Sequence, residues 1–215
     1  MGKQAKGLQA LRRGRVNIAD SREEITWSFF DFLTYAAAGQ TNLTFFATPQ
    51  GGTKTVIDTN MTLAAQIPSQ QSFLIDAVSF EFQPGVAIRP ENSSALAGAA
   101  AVNGFLQDVN EVAKSGFVDF TIGSKPYIRN SPLGQFPPSY GISGMVGAAT
   151  TAAATTIHDT YGRWTGKLYE IIPITLESNQ NFAMNVTWPT AIALPSGVAG
   201  RLGCRLHGSL YRSGQ

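Results

Sequence analysis

From Ile25 onward the chain alternates with period two. Ile25, Trp27, Phe29, Leu33 and Tyr35 share one parity and Thr26, Ser28 and Thr34 the other, predicting a strand of aromatic β-formers interrupted by Asp31. Thr41–Thr48 is a second short run, closed by Pro49-Gln50-Gly51-Gly52. Lys54–Gln66 is a weaker one, with Val56, Ile57, Met61 and Leu63 and a stop at Pro68. Ser72–Gln83 is the clearest central strand, with Leu74, Val78, Phe80 and Phe82 on one side and Pro84-Gly85 at its end. Gly116–Ile122 also reads as a strand, followed by a Pro-punctuated loop over Tyr127–Tyr140.

Two stretches are less decided. Asn92, Ser93 and Ser94 could cap a helix carrying Leu96, Ala99, Ala100, Leu106, Val109 and Ala113. Asn103-Gly104 in its middle argues for a short helix rather than a long one. Residues 141–156, rich in Gly, Ala and Thr, either wedge into an interface or stay mobile. Then come strand-like runs over Arg163–Thr175, Asn181–Trp188 and Arg201–Arg212. Ser178-Asn179-Gln180 predicts a tight turn that makes a hairpin of the first two, and Pro189, Pro195 and Gly197 break the chain before the third. In the last run Leu202, Cys204, Leu206 and Leu210 alternate against Arg201, Arg205, His207 and Tyr211, predicting one buried and one basic, polar face.

About eight strands, long Pro/Gly loops and no sustained helical period make the chain all-β. No repeat of roughly 20–50 residues points to a solenoid or propeller, and no βαβ alternation carries phosphate-binding glycines. The expected architecture is an antiparallel β-sandwich, a single jelly roll of eight strands in two sheets.

Composition adds a division of labour. The 215 residues carry 16 Lys+Arg and 14 Asp+Glu, only 14% charged where roughly 25% is usual, with 43% hydrophobic. That excludes intrinsic disorder and suits a surface covered by neighbours. Lys3, Lys6, Arg12, Arg13 and Arg15 precede the first acid, Asp20, so residues 1–19 hold +5 and the remainder −3. We therefore expect a flexible basic arm over residues 1–22 and a sandwich domain over 23–215.

Chemistry is sparse. There is no G-x-S-x-G elbow, P-loop, G-x-G-x-x-G after a strand, or H-E-x-x-H. One Cys and two His exclude a disulfide framework and a Cys/His metal centre. Glu23-Glu24 are adjacent strand residues pointing to opposite faces, so they read as a solvated linker. His158-Asp159 lacks a nucleophile placed by motif, His207 reads as a surface or interface residue, and Cys204 as a small buried hydrophobe. Asp108, Glu111 and Asp119 lack the spacing of a calcium loop. The N-x-S/T sequons at Asn42, Asn60, Asn92 and Asn185 read as the chance yield of an Asn/Thr-rich chain. No catalytic role and no cofactor are expected.

Lys3, Lys6, Arg12, Arg13 and Arg15 are instead a footprint for phosphate backbones, giving non-specific, salt-dependent contact with nucleic acid. The same charges could meet an internal lipid membrane or neighbouring subunits. No aromatic residue interleaves them as a base-stacking platform.

A basic arm leading into a β-rich body resembles the coat proteins of small icosahedral viruses. Residues 174–182 (ITLESNQNF) lead through Trp188-Pro189 to residues 206–212 (LHGSLYR). That course looks like the closing strands of jelly-roll capsid proteins of tailless bacteriophages. The resemblance implies a structural virion protein that self-assembles with copies of itself and other virion proteins, its arm turned to the genome or an inner membrane. It implies no enzymatic activity and no small-molecule substrate. The alternative is a phage spike or receptor-binding β-sandwich that binds host glycans, which gives no reason for the arm.

Overall fold

The computed structural model describes residues 22–85, 108–137, 142–143, 146–151, 154–159, 162–163 and 168–213. The strands are β1 (Arg22–Tyr35), β2 (Asn42–Phe45), β3 (Gln71–Gln83), β4 (Phe117–Ile122), β5 (Lys125–Pro132), β6 (Ile142–Ser143), β7 (Val146–Thr151), β8 (Ala154–Asp159), β9 (Gly162–Arg163), β10 (Tyr169–Leu176), β11 (Phe182–Thr187) and β12 (Gly200–Ser213). Eight of them make two four-stranded sheets, β1-β12-β3-β10 and β2-β11-β4-β5. All the pairings are antiparallel. Four pairs nest one inside another: β1 with β12, β2 with β11, β3 with β10, and β4 with β5. A long hairpin of these pairs, rolled so that β12 also meets β3 and β11 also meets β4, is the jelly roll.

Alternation explains the layering. Leu43 and Phe45, Val118, Phe120 and Ile122, and Phe182, Met184 and Val186 point inward from the second sheet. Phe29, Phe73, Phe80, Leu202, Cys204 and Leu206 oppose them from the first. Aromatic rings meet edge to face at Phe29–Phe73 (4.9 Å), Phe45–Phe80 (5.7 Å) and Tyr35–Trp188 (5.1 Å), contacts worth about 1 kcal/mol each beyond the area they bury. The polar tips of Tyr35 and Trp188 are satisfied: the Tyr35 hydroxyl donates to the Ile192 carbonyl at 2.8 Å, and Trp188 Nε1 to the Val112 carbonyl at 3.1 Å. The second bond fastens a helix over residues 108–115 to one end of the sandwich.

Several sequence expectations are corrected. Asp31 does not interrupt β1; its carboxyl is fully buried on the inward parity, where Lys54 reaches it at 2.5 Å. Lys54–Gln66 forms turns and isolated bridges rather than a strand, and leaves Val56 and Ile57 exposed. Its residues 58–60 lie along the outer edge of β1, with Phe32 N–H donating to the Asp58 carbonyl and Asn60 N–H to the Phe30 carbonyl.

In β3, Phe73 and Ile75 face the core instead of Leu74, while Val78 and Phe80 keep the expected side. The cause is a bulge: Gly208 pairs with Ile75 and His207 with Ala77, so Asp76 is the extra residue and the parity flips across it. Gly208 is required there, because a Cβ would collide with the Leu74 carbonyl oxygen.

The loop expected from Tyr127 is strand β5 as far as Pro132, followed by a 3-10 turn over Leu133–Gln135. Proline is tolerated because β5 is an edge strand. Ser178-Asn179-Gln180 does not close a hairpin, since β10 and β11 belong to different sheets. The segment carries the chain across the sandwich, with Asn179 N–H donating to the Ile67 carbonyl and φ of Asn179 at 59°. Residues 108–115 realise the end of the expected helix, and 86–107 lie outside the described residues. Within 141–156 the backbone of β7 pairs with that of β8.

Burial pushes the Asp31 carboxyl pKa up, and Lys54 and the Phe46 N–H draw it partly back. Replacing Lys54 by Met removes a lowering influence and leaves a carboxylate uncompensated in the interior. Lys54→Met should therefore destabilise by about 3 kcal/mol at neutral pH. Because the folded-state pKa rises further, the deficit grows as pH rises through that pKa and shrinks in acid. Urea denaturation of both proteins between about pH 4 and pH 7 checks this; a pH-independent deficit contradicts it.

Candidate functional sites on the two sheet faces

The outward face of the first sheet is committed to itself. Phe32 alternates outward from β1, and Arg201 of β12 stacks over its ring at 5.1 Å. Arg205, four residues on, sits 5.4 Å from the centroids of both Phe30 and Phe32. Gly203 lies between the two arginines in sequence, and a side chain there would strike the Phe32 ring. Each guanidinium also has a carboxylate: Asp58 at 2.7 Å for Arg201 and Glu81 at 3.6 Å for Arg205. Asp58 accepts from the Thr55 N–H and hydroxyl, both at 2.9 Å, and these bonds, more than Arg201, hold its pKa below the ordinary value. Planar cations over aromatic faces are stable when their N–H groups stay paired.

His207 is half-buried on the same face, its Nε2 2.9 Å from the Ser79 hydroxyl. Burial, and secondarily Arg205, depresses its pKa from the ordinary 6.5. Cys204 points the other way, into the core, and its thiol is pushed well up by burial and by Asp31. It is the buried hydrophobe the sequence suggests.

The outward face of the second sheet is different. Here the polar parity of each strand converges on a concavity of about 600 Å³. β2 contributes Asn42, β11 contributes Asn185 and Thr187, and β4 contributes Asp119 and Thr121. Ser124 from the β4–β5 turn and Pro126 and Arg129 of β5 complete it. Thr44 donates to Asn185 Oδ1 at 2.8 Å, and Asn130 N–H to Asp119 Oδ1 at 2.9 Å.

Lys3, Lys6, Arg12, Arg13 and Arg15 lie outside the described residues. Glu23 and Glu24 are exposed on β1 and engage β12: Arg212 Nε donates to Glu23 at 2.8 Å, and the Tyr211 hydroxyl to Glu24 at 3.0 Å. Asp108, Glu111 and Asp119 are not brought together; Asp108 accepts from the Ser196 N–H, Glu111 pairs with Lys114, and Asp119 faces the concavity. Among the described residues no group of three or more His, Cys, Asp or Glu could hold a metal ion. Asn60 spends its amide on the Ser28 carbonyl and the Phe30 N–H. His158-Asp159 lies on β8, whose backbone alone is described.

Sequence reasoning missed the Arg–aromatic face and the concavity. The signal for both lies in the outward parity of the strands, but which strands sit side by side is a long-range property. No protein-family model, curated protein or solved structure matches the chain.

Since burial depresses the His207 pKa in the folded state, unfolded chains take up the proton first as pH falls. Stability is present above about 6.5 and is lost as pH drops through the depressed folded-state value. His207→Gln should remove that slope. Parallel thermal unfolding of the two proteins from neutral to mildly acidic buffer is the measurement, and identical slopes would refute the assignment.

Proposed function

We propose that the chain is a structural virion protein that assembles with copies of itself into a capsid shell. The observation that carries this reading is the nested jelly-roll order joined to an acid-free basic segment, Lys3 to Arg15. A fold alone hosts many functions, so the selection rests on the chemistry around it. Low charge suits surfaces destined for contact, since interface cores are depleted of charged residues. Individually weak contacts suffice, because many identical ones close a shell.

Three of the four sheet edges favour contact through side chains over strand addition. β1 is capped by residues 58–60, β5 carries Pro126 and Pro132, and β10 is bulged between Glu170 and Ile174 around Pro173. Exposed apolar residues sit at opposite edges of the first sheet. Val56 and Ile57 are 68% and 71% exposed beside β1, and Ile172 is 88% exposed on β10. Unlike patches at opposite edges suit head-to-tail contact, which closes into rings where the rotation between copies closes. The Val56-Ile57 tip is pinned by the Asp58 network, so little ordering entropy is lost on docking.

Electron microscopy and light scattering of the purified protein should show rings, capsomers or particles; a strict monomer at high concentration refutes the reading. Deleting residues 2–19 should leave assembly intact while packaged nucleic acid falls. The slope of log Kobs against log salt should shrink by about 4, one phosphate per lost cation.

The edge contact has its own test. Changing Val56 and Ile57 together to Asp should abolish or weaken assembly, with the subunit's own stability within about 0.5 kcal/mol of the parent. Undiminished particles would show that this tip is not a contact.

A further inference from the structure

The concavity on the second sheet invites a ligand, because its polar groups have little to do within the protein. Among the described residues the side chains of Asn42, Thr121, Ser124, Arg129 and Thr187 make no hydrogen bond or ion pair. Asp119 uses only Oδ1, and Asn185 only its carbonyl oxygen. Elsewhere the exposed faces behave otherwise: Arg201, Asp58, His207 and Ser79 are all engaged. We propose that this concavity is a saccharide-binding site.

The argument for that class is the mixture of groups. A sugar hydroxyl is donor and acceptor at once, so a vicinal pair can donate to Asp119 Oδ2 while accepting from the Arg129 guanidinium. The Asn185 amide N–H and the Thr187 hydroxyl supply a further donor and a two-way partner. Pro126 offers a small apolar surface for the C–H face of a pyranose ring. Other classes fit worse. A phosphate dianion would meet the Asp119 carboxylate, and a metal ion would meet the Arg129 cation. A nucleobase would need an aromatic platform, and no aromatic side chain lines the concavity.

The same lack of stacking sets the strength. A shallow site that binds through hydrogen bonds alone should be weak, with Kd on the order of 1 mM per site. A particle carrying many copies would multiply this through avidity. The site stands independently of the assembly reading, since its groups come from one subunit and the test does not require a shell.

Saturation-transfer difference NMR suits both subunits and large assemblies. The probes are the methyl glycosides of glucose, galactose, mannose and N-acetylglucosamine, together with N-acetylneuraminic acid. At least one should give a difference signal, and Arg129→Ala should weaken its binding about tenfold or more. Arg129 makes no contact on which the described fold depends, so that variant keeps the subunit intact. Asp119→Asn, which retains the acceptor for the Asn130 N–H, should weaken it similarly, and Lys114→Ala, away from the concavity, should not. Silence from the whole panel, or a signal that survives unchanged in Arg129→Ala, overturns the proposal.

Discussion

One buried carboxylate ties three parts of the fold together. Asp31 lies on β1 of the first sheet, and its Oδ2 accepts from the N–H of Phe46, the residue that follows β2 of the second. Its Oδ1 takes Lys54 from the connection between β2 and β3. Phe46 is itself fully buried with φ at 64°, a conformation a bulky residue keeps only where its surroundings over-determine it. A charge withdrawn from water is costly, and this one is tolerated because its acceptors are filled. What the pair contributes is specificity. With Lys54 anchored, residues 58–60 run along β1, and Asp58 comes within 2.7 Å of Arg201 on the outward face. A connection without a strand of its own thus becomes a fixed edge, and the Val56-Ile57 tip is held out from the body.

The two sheets then divide their outward surfaces by how they satisfy polar groups. On the first, long arginine side chains lie flat across Phe30 and Phe32 and close the surface over. On the second, short Asn, Thr, Ser and Asp side chains stand up from the strands and reach across them only at the Thr44–Asn185 and Asp119–Asn130 contacts among the described residues. Residue length, as much as polarity, decides that one face is sealed and the other left receptive.

Alternation was legible where a strand is regular and lost where it is not. β12 reads correctly from Leu202 to Leu210 because its register with β1 never slips. β3 reads correctly only past Asp76, because the bulge that flips it depends on the close approach of Gly208, more than 130 residues away. β5 hides behind its prolines, harmless on an edge strand but indistinguishable from loop signals in one dimension. Ser178-Asn179-Gln180 is a genuine turn, yet no local chemistry tells a hairpin from a crossing between sheets. Asp31 interrupts a hydrophobic pattern only while its partner is unknown. Of the functional candidates, the basic segment could be read by composition alone, whereas the concavity draws on four strands whose adjacency is settled by the roll of the whole sandwich.

That roll also determines what the basic segment is attached to. The outermost of the nested pairs joins β1 to β12 over fourteen residues without a break, Arg22 opposite Ser213. Residues 1–21 therefore lead in sequence into the end of the longest ladder among the described residues. The rungs there are reinforced by Arg212 on Glu23 and Tyr211 on Glu24. Exposed pairs of this kind add little to global stability. Their position gives them another consequence: a load applied before Arg22 pulls along a ladder of many bonds and must break them together if it acts along the strands. If the segment grips a polyanion, the grip is transmitted to β12 and β3 in the centre of the first sheet. The residues that read as a solvated linker are thus the join between the segment proposed to hold the cargo and the part proposed to build the wall.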